Sequence, residues 1–133
     1  MQLTKKISLV IILFLSLLTL NSTAQVPNDI IKSFDTGDSK LLSGFFNPNV
    51  ELVVLDNDNV YSKSQAEQIV ASFFNSFPPV LENAFTVIHN SGKEGAKSVI
   101  GKLQTTKGNF RIYFLLKKTD AKEYIHQLRI EKQ

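Results

Sequence analysis

The chain has 133 residues, enough for one domain with a single modest core, and 15 Lys and Arg against 12 Asp and Glu give a formal charge of +3. It contains no cysteine and two histidines, which excludes disulfides, a thiol nucleophile and zinc sites built from cysteine or several histidines.

Three acidic residues have the spacing of an EF-hand calcium loop: Asp56, Asp58 and Glu67. Tyr61 stands where that loop requires glycine, so we expect no metal and no cofactor.

Residues 1–24 have the features of a secretory signal peptide. Two lysines precede an uncharged apolar run over residues 7–20, and small residues follow as far as Ala24. The run is shorter than the roughly 18 residues of a membrane-spanning helix. We predict cleavage after Ala24, a single domain over residues 25–133, and export to the periplasm or the extracellular space. The mature chain is expected to have no stable insertion in a membrane.

Removal of this segment changes the charge of the protein. Two basic residues and no acidic residue lie within residues 1–24, so the mature chain has a formal charge of +1, from 13 basic and 12 acidic residues. Nucleic-acid-binding domains normally carry a clustered basic face, and the mature sequence shows no such cluster. We therefore expect no nucleic-acid partner.

Two short helices, or one broken helix, are predicted at the start of the mature chain. Asn28 can cap the first, and Gly37 ends it. Asp38 or Ser39 can cap the second. Apolar residues recur at helical spacing in both segments: Ile30, Ile31, Phe34, Leu41, Leu42, Phe45 and Phe46.

A longer helix, of about three turns, is predicted from residue 65. Ser64 and Glu67 have the spacing of a capping box, and Pro78 and Pro79 end the helical pattern. Apolar residues every three or four positions give the helix one wide apolar face: Ala66, Ile69, Val70, Phe73, Phe74 and Phe77.

Strands are predicted on both sides of this helix. One or two short strands precede it, beginning with the apolar run 50–55, and four alternating segments follow it: 83–89, 98–105, 108–118 and 124–130. The connections between the last four are short and rich in turn residues, which predicts an antiparallel meander. The order of elements predicts an α+β domain. Its sheet has four main strands plus one or two short ones, packed on one longer helix, with short helices at the N-terminus.

Several stretches together resemble a known family: SKSQAEQIVASFF followed by PP, FTVIHNSG, IGKLQTTKGNFRIYFLLKK and LRIE. They are similar to a group of small secreted bacterial domains of unknown function, which resemble the nuclear-transport-factor-two-like, or cystatin-like, superfamily. The resemblance implies a curved antiparallel sheet wrapped around a helix, with a pocket at the mouth of the resulting cone. The superfamily includes isomerases, dehydratases, transport adaptors and members without chemistry. The small secreted group has no assigned catalytic residues, so the resemblance supplies none here.

The polar side chains nearest to the predicted cone mouth are Tyr61, His89 and His126. Pairing Leu116 with His126 would place this histidine at one end of the concave side, where the three residues could bind a small apolar ligand. The alternative, which we favour, is that the histidines are ordinary strand-end residues. No carboxylate base is predicted inside the cone and no catalytic residue is assigned. We therefore favour a non-catalytic protein over an isomerase-like or dehydratase-like enzyme.

The outer face of the sheet is the second candidate site. Ile100, Tyr113, Leu115 and Ile125 alternate to the side opposite the longer helix, and a contiguous apolar patch there would mark an interface. The partner would be a second copy of the chain, as the resemblance favours, or a different exported protein. The alternative is that Lys and Arg stems cover these side chains.

Overall fold

The computed structural model describes residues 4–6, 25–93 and 95–133. Residues 1–3 and 7–24 lie outside the described residues, so the signal peptide and the cleavage after Ala24 remain predictions. Within the described part of the chain, no helix combines the length and the apolar character needed to cross a membrane.

Three helices lie between residues 25 and 93: α1 (Asn28–Thr36), α2 (Ser39–Ser43) and α3 (Lys63–Ser76). Gly37 ends α1 in the left-handed conformation (φ 69°), as predicted. Asp38 caps α2, since its Oδ1 accepts from the backbone N–H of Leu41 at 2.9 Å. Asn28 is not the cap of α1: it lies inside the helix, and Pro27 takes the cap position without a side-chain hydrogen bond.

The capping box of α3 lies two residues before the predicted one. The Ser62 hydroxyl accepts from the Gln65 backbone N–H at 3.3 Å, and the Ser62 N–H donates to Gln65 Oε1 at 3.2 Å. Ser62 has extended backbone angles at the end of a strand, so the helix starts directly from that strand and the pair Ser64 and Glu67 is not used. The predicted stop is confirmed, because α3 ends at Ser76, before Pro78.

Six strands form one curved sheet: β1 (Phe46–Val54), β2 (Asn57–Ser62), β3 (Phe85–Lys93), β4 (Ala96–Thr105), β5 (Gly108–Thr119) and β6 (Lys122–Lys132). Their order is β2-β1-β6-β5-β4-β3. The antiparallel meander of β3 to β6 and the α+β class are confirmed. The sheet is not wholly antiparallel, because β1 pairs with β6 in parallel.

The predicted register is confirmed between β5 and β6 at two pairs, Ile112 with Ile130 and Phe114 with Leu128. It is wrong by two residues between β4 and β5, where Leu103 pairs with Phe110 instead of Ile112. The hairpin is tighter than expected, since Thr105 already pairs with Gly108. A shift of two residues leaves every side chain on its predicted face.

The inner face of the sheet carries the core. Phe110 packs edge-on against Phe73 of α3 with ring centroids 4.9 Å apart, and Phe34 of α1 packs against Phe85 at 4.8 Å. The β5 and β6 residues of this face are almost inaccessible to solvent: Phe110, Ile112, Phe114, Leu116, Ile125, Leu128 and Ile130. The described core runs from Val26 to Ile130, so residues 25–133 contain all of it.

Candidate functional site

An open groove of about 420 Å³ lies on the outer face of the sheet. It combines an aliphatic and an aromatic side chain with two arginines, two glutamates and one amide. Its lining residues are Glu51, Ile100, Arg111, Tyr113, Gln127, Arg129 and Glu131. They come from four adjacent strands, β1, β6, β5 and β4, so the groove requires the whole centre of the sheet.

Strand pairing builds the floor of the groove in rows. Ile100 pairs with Tyr113, and Tyr113 pairs with Arg129 on β6. In the next row, Arg111 lies opposite Glu131. Residues paired across a sheet share one face, so these side chains stand together while their neighbours in sequence enter the core.

Charge in the groove is balanced and partly organised by contacts within the molecule. Gln127 Nε2 donates to Glu51 Oε2 at 2.9 Å, which joins β6 to β1. Arg129 Nη1 lies 3.7 Å from Glu131 Oε1, and both side chains are more than half exposed. An ion pair this exposed contributes about 1 kcal/mol or less to stability. Both charges therefore remain available to a partner.

Three of the four predicted interface residues lie on the outer face. Ile100 and Tyr113 line the groove, and Leu115 is half-buried beside it, paired with Gln127. Ile125 does not, because it is 0 % exposed and pairs with Leu116 in the core. A bulge in β6 opposite Leu115 and Leu116 adds one residue and reverses the predicted alternation of this segment.

The same bulge overturns the predicted pairing of His126 with Leu116. His126 is the additional residue of β6, and it has no pairing partner on β5. Burial, and secondly the nearby charge of Lys117, lower the pKa of the His126 imidazole, so both favour the neutral ring. Its Nε2 is buried and has no hydrogen-bond partner among the described residues.

The three candidate ligand residues do not meet at one pocket. Tyr61 is half-buried at the rim of the core, whereas His89 is exposed and paired with Ile100, in an outer row of the sheet. The space between α3 and the sheet is packed with aromatic rings: Phe77 approaches Phe110 at 4.8 Å between centroids. This packing does not favour a ligand on the concave side.

Sequence patterns identified part of the groove. Arg111 and Arg129 alternate visibly with core residues, but Glu51 comes from a strand about 75 residues earlier in the chain, whose parallel pairing with β6 has no local signal. The only available hint was that Glu51 interrupts an otherwise apolar strand.

Lys97, Glu123 and Gln25 form a second polar cluster, at the end of the inner face where the mature chain is predicted to begin. Lys97 Nζ donates to Glu123 Oε1 and to the backbone carbonyl of Gln25, both at 2.9 Å. The Lys97 and Glu123 side chains are 22 % exposed each. This pair ties β4 and β6 to the segment that leads into α1.

Known proteins resemble this chain in sequence and in fold. A family described as Domain of unknown function (DUF4783) matches residues 27–131. Crystal structures of DUF4783 family proteins from Bacteroides ovatus and Bacteroides uniformis are each 32 % identical to the chain, with TM-scores of 0.75. The matches cover 84 % and 82 % of this chain, and 98 % of each of those chains.

A wider similarity concerns the fold alone. An NTF2-like protein of unknown function from Shewanella baltica is 16 % identical, with a TM-score of 0.60 over 80 % of this chain and 86 % of that one. No curated protein shows a significant match. The chain belongs to the DUF4783 family of domains of unknown function and has a nuclear-transport-factor-two-like fold.

Proposed function

We propose that this protein is an exported, non-catalytic domain that associates with a second copy of itself through the outer face of its sheet. The observation that carries the proposal is the groove around Tyr113, which combines the apolar pair Ile100 and Tyr113 with two arginines and two glutamates. Export follows from the predicted signal peptide over residues 1–24.

The charge pattern favours a second copy over an unrelated partner. A two-fold interface brings the same patch together twice, so the patch must be complementary to itself. Arg111 and Arg129 on one copy can lie against Glu51 and Glu131 on the other, and equal numbers of both signs leave no net repulsion. A strongly acidic or basic partner would leave one pair of charges unmatched.

The part of the patch on β4 and β5 supplies apolar area. Tyr113, Ile100 and Leu115 are partly covered by their neighbours, and no described helix packs over them. Tyrosine is among the residues enriched at the energetic centre of interfaces, since it combines a large apolar ring with a hydroxyl. The alternative of a small ligand on the concave side has less support, because phenylalanine rings fill that space.

Sedimentation velocity of residues 25–133 over a range of concentrations tests the proposal. We expect a dimer that dissociates on dilution and on addition of salt, because salt screens the arginine and glutamate charges of the groove. Tyr113→Glu should give a monomer, because it removes the tyrosine ring from the interface and adds one uncompensated negative charge from each copy.

Leu81→Glu is the matched control, since it makes the same change of charge at a fully exposed leucine outside the groove. It should leave the dimer intact. A wild-type protein that stays monomeric at the highest concentration, with no response to Tyr113→Glu, would overturn the proposal.

A further inference from the structure

The carboxylate of Glu123 is only half satisfied. Its Oε1 accepts from Lys97 Nζ at 2.9 Å, while its Oε2 is buried and has no hydrogen-bond partner among the described residues. A buried charged oxygen without a donor is costly, so such an atom calls for a specific explanation. Lys118 and Lys122 line the adjacent groove, yet neither pairs with it.

Gln25 is the residue best placed to provide the missing donor. Its carbonyl oxygen and Glu123 Oε1 accept from the same Lys97 Nζ, so they lie within two hydrogen-bond lengths of each other. Gln25 and Glu123 also line one groove of about 430 Å³. Gln25 is exposed, whereas Val26 is buried, so rotation about the bonds of Gln25 can move its nitrogen without disturbing the core.

Cleavage after Ala24 would change that nitrogen from a neutral amide into an α-ammonium with three donors. We propose that the α-ammonium of the processed chain binds Glu123 Oε2, so that signal-peptide removal completes a site in which one carboxylate holds two cations. The inference rests on the predicted cleavage and is independent of the dimer. Lys97 then fixes the Gln25 carbonyl, Glu123 fixes the amine, and the new terminus is anchored to β4 and β6.

The test compares two proteins of defined N-terminus, one beginning at Gln25 and one with Ala24 added before it. Residues 25–133 are suited to this, since they contain the whole described core. In addition, two crystallised relatives align over 98 % of their own length, and these alignments cover 84 % and 82 % of this chain. Each protein is made with Glu123 and with Glu123→Gln, and unfolding in urea is measured for all four.

We expect the folding equilibrium constant of the protein beginning at Gln25 to exceed that of the extended protein by about tenfold, the size of one charge-assisted hydrogen bond. The gap should disappear in the two Glu123→Gln proteins. Both of these proteins lose the ion pair between Lys97 and Glu123, so that loss cancels in the comparison. By NMR titration, the pKa of the α-amine should lie above its ordinary value of about 8 and fall in Glu123→Gln.

Two results would overturn the inference in the folded protein. One is an equal gap in both backgrounds. The other is an intact mass short of one ammonia, because an N-terminal glutamine whose amine has attacked its own side-chain amide is a neutral lactam and cannot bind as a cation. An exported protein whose mass retains residues 1–24 would refute the predicted cleavage, and with it the proposed terminus.

Discussion

The inner and outer faces of the sheet are built from alternate residues of the same strands, yet they are covered to very different degrees. On the inner face, Phe110, Ile112 and Phe114 are sealed beneath helices α1 and α3. On the outer face, Arg111 is exposed and Tyr113 lines an open groove. In the proposed dimer, alternate residues of one strand would therefore serve folding on the inner face and association on the outer face. Substitutions at adjacent positions should therefore separate stability from association.

The largest expected effect is on the inner face. Phe114→Ala should lower the free energy of unfolding by about 3–5 kcal/mol, since it leaves a cavity beside Phe34, whose ring is 6.0 Å away. Urea unfolding measures the loss. Leu115→Ala, at the next position but on the outer face, should cost about 1 kcal/mol or less. Equal losses at the two positions would contradict the division between faces.

A smaller effect is expected where the inner face has no side chain at all. A Cβ on Gly101 would collide with the ring of Phe85, so Gly101→Ala must displace that ring, which packs against Phe34. We expect a loss of about 1–3 kcal/mol, measured by thermal unfolding. Lys102→Ala on the outer side of β4 is the control, with an effect of about 0.5 kcal/mol. A fully stable Gly101→Ala would show that the ring has room to move.

His126 lies at the bulge of β6, where the alternation between inner and outer faces shifts by one residue. Its contribution to the stability of the fold should depend on pH. Its pKa is lowered in the folded protein, chiefly by burial, so the unfolded chain binds the proton more readily. The stability contributed by neutral His126 is thus complete above about pH 6.5 and declines as the pH falls towards the lower, folded-state pKa. Melting temperatures at pH 8 and pH 5 measure this decline.

His126→Gln should make that decline smaller, because glutamine does not titrate. If the variant lost stability on acidification as steeply as the wild type, the pH dependence would have to come from other groups. Exposed carboxylates contribute to both proteins alike, so the difference between them isolates the imidazole.

The smallest effect on stability should come from substitution of a charged residue that lines the groove. Arg129→Gln removes an exposed ion pair at 3.7 Å and should change the free energy of unfolding by about 0.5 kcal/mol at most. The same substitution should weaken self-association in sedimentation experiments, since Arg129 is proposed to face a glutamate of the second copy. A loss of stability comparable to that of Phe114→Ala would show instead that Arg129 stabilises the fold.

Several features specified by neighbouring residues were predictable from the sequence, although the caps of α1 and α3 were each placed at the wrong residue. Gly37 ends α1 because glycine adopts the left-handed conformation at little cost, and Asp38 caps α2 through a contact three residues away. The alternation from Phe110 to Leu116 assigned those residues to their faces correctly. Each of these features depends on a few consecutive residues, which is why the pattern was sufficient.

Features that depend on distant strands were not predictable. The bulge that buries Ile125 coincides with register shifts of β6 against both β5 and β1, and the contact of Glu51 with Gln127 requires a parallel pairing between distant parts of the chain. Two-residue errors, such as the one between Leu103 and Phe110, preserve the faces and so left the core prediction intact. The one-residue bulge changed a face: it removed Ile125 from the predicted interface and His126 from its predicted pairing with Leu116.

The bulge also gives β6 one residue more than its partner needs. Gln127 pairs with Leu115 and Ile125 with Leu116, so His126 is the surplus between them. A chain lacking His126 would have a regular ladder in which every remaining side chain of β6 keeps its face, whereas loss of Leu128 would turn one part of the strand over. Loss of one residue should therefore be tolerated at His126 and not elsewhere between Ile125 and Ile130.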